Sequence, residues 1–559
     1  MIKVANCPCS LDDFLLVNFS EENTTGPLLS IAAKALGIDL SCVRGVRVVR
    51  RSVDARKRSK VHYVFTLAVR LDSEELEEHL VAQEKAQWYK PYQPLDIPRV
   101  HHAQRPYVIG AGPAGLFAAL YLARAGLRPV LVERGASVHE RVAAIEAFNR
   151  GAELDLRTNV QFGEGGAGTF SDGKLTTGTK HPMAPHVLEW FIEAGAPLDI
   201  ALDAKPHIGS DVLPDVVKQL REQVKQAGGD VLFNTLMSDM KFENGTLQAI
   251  ELQDASGKRS WVSAQRVIVA CGHSARDTFR MLYDWGLCME QKPFSMGVRI
   301  EHLQRDLDES QYGTFAGHPA LRASEYKMAV HIDGARSAYT FCMCPGGQVV
   351  CASSEAGGVV TNGMSLRARD GMNANAALLV NVDPKDFGGN DPLDGVRLQQ
   401  RVERAAFECT AQAGAKAFAA PAQTVGDFLS GKSGHPSKQV SPSYPRGIVW
   451  ADLHEVLPPF VSKTLEQALP LFERKLRGFA NPQAVMTAPE TRSSSPVRIC
   501  RNDNLQAYFA ADETKRGIGV YPCGEGAGYA GGIMSAAMDG MRVAEEILRV
   551  YREQEDSNG

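Results

Sequence analysis

The 559-residue sequence lacks any apolar run long enough to cross a membrane as a helix. Its first residues, MIKVANCPCSLDDF, lack the basic flank and the apolar core of a secretion signal. Neither sign of charge is in large excess, because the net charge is −4. We therefore expect no membrane partner, no general affinity for nucleic acid, and a cytoplasmic location.

Matched sets of metal-binding residues are also missing. The 11 cysteines are scattered, and an odd number without a secretion signal favours reduced thiols. Two C-x-C pairs occur, Cys7 with Cys9 and Cys342 with Cys344, but one pair has too few ligands for a closed zinc site. We predict no metal and interpret both pairs as buried structural thiols. The alternative is a reactive dithiol or a soft-metal pair.

A nucleotide-binding pattern follows a short apolar strand, in YVIGAGPAGLFAALYLARAGLRPVLVERG. Gly110 allows a tight turn, Gly112 lets the backbone approach a diphosphate, and Gly115 lets the next helix pack on the strand. Pro113 fits the first helical turn, where no N–H is needed. Glu133 ends the second strand and can accept hydrogen bonds from a ribose. The pattern predicts a dinucleotide site and does not by itself choose between NAD and FAD.

The pattern along the chain predicts five segments. We predict that residues 1–88 form a small α+β domain and that residues 89–104 form a Pro-rich, extended linker. We predict one doubly wound, Rossmann-like α/β domain in two parts, residues 105–281 and 506–559, because both parts contain a strand, a glycine loop and a helix. Residues 282–505 predict an inserted α+β substrate or cap domain.

Two further glycine-rich stretches accompany the first nucleotide motif. NVQFGEGGAGTFSDGKLTTG has the small residues that suit backbone wrapped around a ligand. GIGVYPCGEGAGYAGGIMSAAMDG, near the end, has no downstream acid of its own, so we interpret it as completing the first nucleotide domain. The sequence contains no second full dinucleotide unit and no C-x-x-x-x-C redox pair beside the first unit.

Residues 105–280 and 510–550 resemble FAD-dependent oxidoreductases of the two-dinucleotide, glutathione-reductase-like superfamily. More narrowly, the chain resembles a family of bacterial and plastid FAD-dependent dehydrogenase-like proteins. The motifs that carry this second resemblance are FGEGGAGTFSDGKL, TFCMCPGGQVV, GGVVTNGMS, ETRSSSPVRI and CGEGAGYAGGIMSAAMDG. The resemblance covers nearly the whole chain and implies an FAD that stays bound.

The resemblance also implies roles for particular residues. Gly110–Gly115 would hold the FAD diphosphate, Glu133 the adenosine ribose, and Glu525 the ribityl chain, where the superfamily more often has Asp. A helix starting near Gly532 would direct its N-terminus at the flavin, which is negatively charged when reduced. The predicted cofactor-binding residues are Gly110, Gly112, Pro113, Ala114, Gly115, Glu133, Arg134, Arg141, Gly165, Gly166, Gly168, Thr169, Lys174, Gly272, Glu525, Gly526, Gly532 and Ile533.

Several polar residues fit either a binding site or ordinary structure. Arg141 could reach the diphosphate or remain a charge on a helix surface. The stretch ETRSSSPVRI, Glu490 to Ile499, could bind an anionic substrate or the flavin edge through its arginines, or it could be a solvated connector with a local ion pair; we favour the site. Tyr444 and Arg446 carry the same ambiguity, and for His273 ordinary structure is favoured. The sequence identifies no catalytic acid or base.

The run RGVRVVRRSVDARKRSK, Arg44 to Lys60, is rich in basic residues. It could form a basic patch for RNA, an acidic protein or an anionic metabolite. Interleaved aromatic residues are absent from the run, and a basic stretch alone is a weak motif. We therefore favour a solvated hairpin.

These patterns predict an FAD-dependent oxidoreductase in which a hydride passes between the flavin and an unidentified small molecule. NAD(P)H is an option as a transient electron donor. One alternative is a flavoprotein whose basic N-terminal domain binds RNA or a protein partner, with FAD in a structural or sensing role. Another alternative is a flavin monooxygenase-like hydroxylase.

Overall fold

The computed structural model describes residues 1–100, 104–178, 180–332, 334, 336–516 and 519–558. Part of the predicted linker and part of the predicted strand GIGV therefore lie outside the described residues. Across the described ranges, a small antiparallel domain precedes a parallel nucleotide domain. A larger, mostly antiparallel sheet is inserted between the two parts of the nucleotide domain.

The N-terminal region folds as a four-stranded antiparallel sheet with the strand order β2-β3-β1-β4. Helix α2 packs against the first two strands and closes an apolar core. The elements are β1 (Ile2–Cys9), α1 (Leu11–Leu15), α2 (Pro27–Leu36), β2 (Val43–Asp54), β3 (His62–Leu71), α3 (Glu74–Ala82) and β4 (Gln87–Trp88).

The basic run lies in the β2–β3 hairpin, but Arg51 within it is buried against the nucleotide domain. The backbone of Arg51 bonds to Leu202 and Ala204. Its guanidinium donates to Asp203 Oδ1 at 2.5 Å and to Asp199 Oδ2 at 3.4 Å. The prediction of a solvated hairpin is therefore wrong for Arg51, because this side chain anchors the N-terminal domain to its neighbour.

The nucleotide domain begins with a strand, a glycine loop and a helix, as the sequence motif predicts. Three antiparallel strands branch from it before the chain returns to its parallel sheet. The elements are β5 (Tyr107–Ile109), α4 (Pro113–Arg124), β6 (Val130–Val132), α5 (Val138–Asn149), α6 (Ala184–Glu193), α7 (Leu213–Gln226), β7 (Asp230–Leu232), β8 (Leu236–Glu243), β9 (Thr246–Gln253), β10 (Arg259–Ser263), β11 (Val267–Val269) and α8 (Arg276–Asp284).

The inserted region is organised around a seven-stranded sheet. Its first and last short strands, β12 and β22, pair with each other where the chain leaves and re-enters the nucleotide domain. The elements are β12 (Met289–Gln291), β13 (Phe294–Leu303), α9 (Gln304–Tyr312), β14 (Ala329–Val330), β15 (Ala338–Cys344), β16 (Gln348–Cys351), β17 (Thr361–Met364), β18 (Asn373–Val382), α10 (Asp394–Gln412), β19 (Ala420–Thr424), α11 (Val425–Ser430), β20 (Ile448–Trp450), α12 (Pro459–Lys475), β21 (Val485–Glu490) and β22 (Val497–Ile499).

The last segment completes the parallel sheet, whose strand order is β25-β11-β5-β6-β7. The doubly wound α/β fold class is therefore confirmed. Helix α13 packs beside α4 in the main apolar core, so both helices begin at the same edge of the sheet. The elements are β23 (Tyr508–Phe509), β24 (Asp512–Arg516), β25 (Val520–Pro522) and α13 (Ile533–Asn558).

Side-chain alternation divides β13 between two environments, because successive residues of a strand point to opposite faces. Met296, Val298 and Ile300 belong to the apolar core that also contains buried residues of α12. Arg299 lies between them in sequence and is fully buried on the other face. The strand order β14-β15-β18-β13-β21-β19-β20 places β15 and β21 on either side of β13 and β18. This face of the sheet therefore brings together polar residues from distant parts of the chain.

Candidate functional site

A cavity of about 480 Å³ lies where the nucleotide domain meets the seven-stranded sheet. One wall comes from the carboxyl ends of β5, β6 and β11, which is where parallel sheets bind ligands. The other wall comes from β15, β17 and β21. The volume suits a small organic ligand. The site is thus assembled from segments that are far apart in the sequence.

Most of the predicted cofactor-binding residues line this cavity. They are Gly110, Gly112, Pro113, Ala114, Glu133, Arg134, Gly166, Gly168, Lys174, Gly272, Glu525, Gly532 and Ile533. The remaining predicted residues support its walls from behind; they are Gly115, Arg141, Gly165, Thr169 and Gly526.

The two glycines of the loop before α4 have different surroundings. A Cβ on Gly115 would lie 1.8 Å from the Gly110 carbonyl oxygen, so glycine is needed for α4 to pack on β5. A Cβ on Gly112 would meet only Gly166 Cα, at 3.8 Å, because this side faces the cavity. No side chain caps the start of α4. Its first N–H groups are therefore available to an anion.

Two other glycines are needed for packing behind the cavity wall. A Cβ on Gly165, whose φ is +87°, would lie 2.0 Å from Thr169 Oγ1. A Cβ on Gly526 would lie 2.4 Å from the Gly272 carbonyl oxygen. These glycines shape the loops and do not themselves face the ligand space.

Glu133 is held in a fixed orientation at the end of β6. Its Oε1 accepts hydrogen bonds from Gly135 N–H at 2.9 Å and Gly163 N–H at 3.1 Å. Its Oε2 accepts one from Ala111 N–H at 2.8 Å. Because a carboxylate oxygen has two lone pairs, Oε2 can accept one more hydrogen bond. The residue lines the cavity and is suited to accept from a sugar hydroxyl.

Arg141 has a role that neither sequence-based interpretation predicted. Its side chain is fully buried, so the alternative of a surface charge is wrong. The guanidinium is also not free to reach a diphosphate, because it is used within the glycine-rich loop. It donates to the carbonyl oxygens of Asn159, Val160, Gly163, Glu164 and Gly166. Arg141 thereby fixes the loop that borders the cavity.

The start of α13 forms a second helix N-terminus at the cavity. A Cβ on Gly531 or Gly532 would meet nothing within 4 Å, so the loop before the helix opens onto free space. Glu525 lines the same wall, and burial raises its pKa to about 7, against the opposing effect of Lys292. Near neutral pH this carboxyl can therefore either donate or accept a hydrogen bond.

These groups fit an extended dinucleotide such as FAD. The start of α4 offers N–H donors to a diphosphate, and Glu133 offers an acceptor to a ribose. The start of α13 is suited to an electron-rich ring, because a helix N-terminus carries partial positive charge. The three features line one continuous cavity.

The opposite wall brings a buried carboxyl close to a buried guanidinium. Glu490 Oε2 and Arg299 Nε lie 3.4 Å apart, on the neighbouring strands β21 and β13. Burial raises the pKa of Glu490 to about 8, and the charge of Arg299 offsets this only in part. The sequence pointed to Glu490 only through the ETRSSSPVRI motif, and it provided no signal for Arg299.

Arg492, from the same motif, is buried and lines the cavity, so the alternative of a solvated connector is wrong. Its Nε and Nη2 donate to Glu403 at 2.9 and 2.8 Å, and Arg276 binds the same carboxylate. His273 also lines the cavity, and burial together with the two arginines lowers its pKa to about 3. At neutral pH it is an uncharged imidazole.

Tyr444 and Arg446 have structural roles. The Tyr444 hydroxyl donates to the Phe418 carbonyl oxygen at 3.0 Å. Arg446 donates to the carbonyl oxygens of Ala417 at 2.9 Å and Phe148 at 2.5 Å. Neither residue lines the cavity.

The two C-x-C pairs lie in different surroundings. Cys7 and Cys9 are both buried in the N-terminal core, with exposed fractions of 0% and 2%. Cys344 is buried as well. Cys342 is only half-buried and lines the cavity. The prediction that both pairs are buried structural thiols is therefore wrong for Cys342.

The described residues include no group of three or more His, Cys, Asp or Glu side chains placed to hold a metal ion. Over the same part of the chain, no helix has the length and apolar character to span a membrane.

Three family descriptions match parts of the chain. Residues 105–280 match an FAD binding domain, residues 293–493 match an FAD-dependent protein, C-terminal domain-like, and residues 1–70 match a domain of unknown function. The prediction of FAD as cofactor is confirmed at the level of the binding domain. These matches support an FAD-dependent oxidoreductase in general, and they do not specify the glutathione-reductase-like superfamily.

An uncharacterized protein of Clostridium beijerinckii is 40% identical over 553 residues, which are 98% of this chain and 99% of that protein. Among solved structures, a geranylgeranyl bacteriochlorophyll reductase-like protein from Thermoplasma acidophilum is 12% identical, with 81% and 79% of the two chains covered and a TM-score of 0.35. The flavin-dependent halogenase CmlS is 13% identical, with 82% and 60% covered and a TM-score of 0.35. TM-scores this low support no conclusion about function.

Proposed function

This chain belongs to the same protein family as the Clostridium beijerinckii protein, and from its FAD-binding domain we propose that it is an oxidoreductase that holds FAD tightly and exchanges a hydride with a small-molecule substrate. The observation that carries the proposal is the shared cavity. One wall carries the groups that fit a dinucleotide, and the other carries half-buried and buried titratable side chains.

The residues of the nucleotide domain bind and orient the cofactor in this proposal. The first N–H groups of α4 would bind the diphosphate, and Glu133 would bind the adenosine ribose. Glu525 would bind the ribityl chain, and the start of α13 would direct its N–H groups at the ring. When bound, FAD supplies the ring that takes up or releases a hydride.

Glu490 is our proposed proton donor on the opposite wall. With a pKa of about 8 it carries its proton at neutral pH, which suits a general acid. Glu490 lines the cavity, and its Oε2 lies 3.4 Å from Arg299 Nε on the neighbouring strand. His273 adds no further positive charge to this region at neutral pH, because its pKa is about 3.

The visible absorbance of the purified protein under anaerobic conditions tests the proposal. We expect a yellow protein whose flavin absorbance decreases on addition of NADPH or NADH. A yellow protein that does not bleach would keep the FAD assignment and remove NAD(P)H as the donor. A colourless protein that also fails to take up added FAD would contradict the proposal.

A hydroxylase would use the same cofactor groups, and oxygen consumption distinguishes it. Oxygen uptake that depends on NAD(P)H and yields a hydroxylated product would favour that alternative. Substrate-dependent bleaching without oxygen uptake would favour the dehydrogenase or reductase chemistry proposed here.

A further inference from the structure

An irregular stretch of β15 carries two thiols, one of which lines the cavity. The pairing of β15 with β18 shifts register between Phe341 and Cys344. Cys342, inside this shift, has a φ of +40°, so the strand turns there. The Cys344 thiol donates to the Cys342 carbonyl oxygen at 3.3 Å. Cys344 Sγ therefore lies against the backbone of Cys342, and one turn carries both thiols.

A buried cation stands beside this pair. Arg299 donates through both Nη atoms to the Cys342 carbonyl oxygen, each at 3.1 Å, and its Nη2 lies 3.7 Å from Cys344 Sγ. Lys174 reaches the same turn and donates to the Met343 carbonyl oxygen. The two positive charges come from β13 and from the glycine-rich loop, so they converge on the thiols from different elements.

Negative groups also face the pair, and they are mostly neutralised. Asp172 is held by Arg369, with Nη2 to Oδ2 at 2.5 Å, and lies 3.7 Å from Lys174. Glu490 and Glu525 both have raised pKa values, about 8 and about 7, so each is at least partly protonated at neutral pH. The neighbouring Cys344 thiol and the nearby cations lower the pKa of the Cys342 thiol to about 6.

The two thiols differ in access as well as in charge. Cys342 is half-buried and lines the cavity, whereas Cys344 is fully buried behind it. Burial raises the pKa of Cys344 well above its usual value. An accessible thiolate in front of a buried, protonated thiol is the arrangement that thiol–disulfide exchange needs.

We propose that Cys342 and Cys344 form a thiol–disulfide exchange site whose substrate is the disulfide of a small thiol that enters the cavity. The Cys342 thiolate attacks one sulfur of the substrate, forms a mixed disulfide and releases the first small thiolate. Cys344 then loses its proton to the departing thiolate and attacks Cys342 Sγ. A Cys342–Cys344 disulfide forms and the second small thiolate leaves, so one disulfide is reduced and one dithiol is oxidised.

This inference goes beyond the proposed function, because the exchange requires only the two cysteines and a disulfide. Arg299 acts as a positioning residue for the thiolate. The other C-x-C pair provides an internal control, because Cys7 and Cys9 are both buried away from the cavity.

The test uses the full-length protein with its bound FAD and oxidised glutathione as the probe. Trapping of free thiols at set times, followed by peptide mass spectrometry, reports every cysteine separately. We expect the peptide that contains Cys342 and Cys344 to lose two hydrogens, while Cys7 and Cys9 stay reduced. Unchanged thiols at both positions, or oxidation no faster than at Cys7, would overturn the proposal.

Three variants sharpen the result. Cys344→Ser should accumulate a stable glutathione adduct on Cys342, because the second displacement is lost. Cys342→Ser should abolish the reaction of Cys344, and Cys7→Ala should leave the reaction of Cys342 unchanged. An equally stable adduct on Cys342 in the unmodified protein would overturn the role of Cys344.

The flavin absorbance of each sample separates this inference from the proposed function. A yellow protein without exchange would contradict the exchange site and leave the FAD proposal intact. A colourless protein that takes up no added FAD but still forms the Cys342–Cys344 disulfide would support the exchange site and contradict the FAD proposal.

Discussion

The two C-x-C pairs share a sequence pattern, and they differ because one thiol of the second pair lines a cavity beside buried cations. Cys7 donates weakly to the carbonyl oxygens of Val4 and Ala5, both at 3.8 Å, within an apolar core. Burial raises the pKa of Cys7 to about 11 and that of Cys9 to about 12. Cys342, in contrast, lines a cavity and has a pKa of about 6.

The difference comes from what other elements bring to each pair. Next to Cys9 the charge of Asp13 raises the pKa further. Next to Cys342 lies the fully buried guanidinium of Arg299, which donates to the Cys342 carbonyl oxygen. Arg299 belongs to β13, two strands away in the sheet. A thiol's reactivity is therefore decided by tertiary neighbours, and the spacing of two cysteines does not predict it.

The largest effect that tests this comparison is the difference in thiol reactivity. At pH 7 the lowered pKa of Cys342 favours the thiolate, whereas a pKa of about 11 leaves Cys7 about 0.01% thiolate. We expect iodoacetamide to label Cys342 at least about 1,000-fold faster than Cys7 in the folded protein. Equal labelling rates, measured by peptide mass spectrometry, would show that the two pairs are equivalent.

The next effect concerns Glu490, which shares the cavity end with Cys342. Glu490→Gln removes the proposed proton donor, and we expect kcat to fall about 100-fold while FAD content stays unchanged. Because the pKa of Glu490 is about 8, the wild-type protein loses the donated proton above this pH. Its rate should therefore decrease as the pH rises through about 8.

The pH–rate profile of the variant provides the check. Glu490→Gln should lack the decrease near pH 8, because glutamine does not titrate. The same decrease in both proteins would assign it to another group and remove Glu490 from the proposed chemistry.

Replacement of Arg299 should make the cavity pair resemble the N-terminal pair. Arg299→Met removes the cation, so the pH midpoint of Cys342 labelling should rise from about 6 towards the ordinary range of about 8 to 9. Arg299→Lys keeps the charge and should hold the midpoint closer to 6. Circular dichroism and flavin absorbance check that each variant is folded. An unchanged midpoint in the folded Met variant would contradict the role of the guanidinium.

The smallest effect is on stability. Here we expect the replacement of Cys7 to cost more than the replacement of Cys342. Cys7→Ala empties space in a packed core and should lower the free energy of unfolding by about 1–2 kcal/mol. Cys342→Ala removes a half-buried side chain and should cost less than about 1 kcal/mol. Urea denaturation of the two variants measures both values. A larger loss for Cys342→Ala would mean that this thiol is mainly structural.

The sequence predicted the nucleotide half of the cavity well because its signals are local. The glycines before α4 and Glu133 at the end of β6 belong to one continuous motif, and each requires only its neighbours in the chain to be recognised. The same holds for the last loop and α13, whose strand-loop-helix order is visible in the residues themselves. These elements determined the doubly wound fold and the dinucleotide site.

The tertiary structure alone decided the other half of the cavity. Glu490, Arg299 and Cys342 lie on three strands that are distant in the sequence and become neighbours through the pairing of β13, β18 and β15 and of β13 with β21. Likewise, Arg141 fixes a loop that follows it, because the loop folds back around its side chain. Burial and charge set the pKa values of such groups. Burial and charge at these positions depend on which strands pair, and no local pattern in the sequence predicts this pairing.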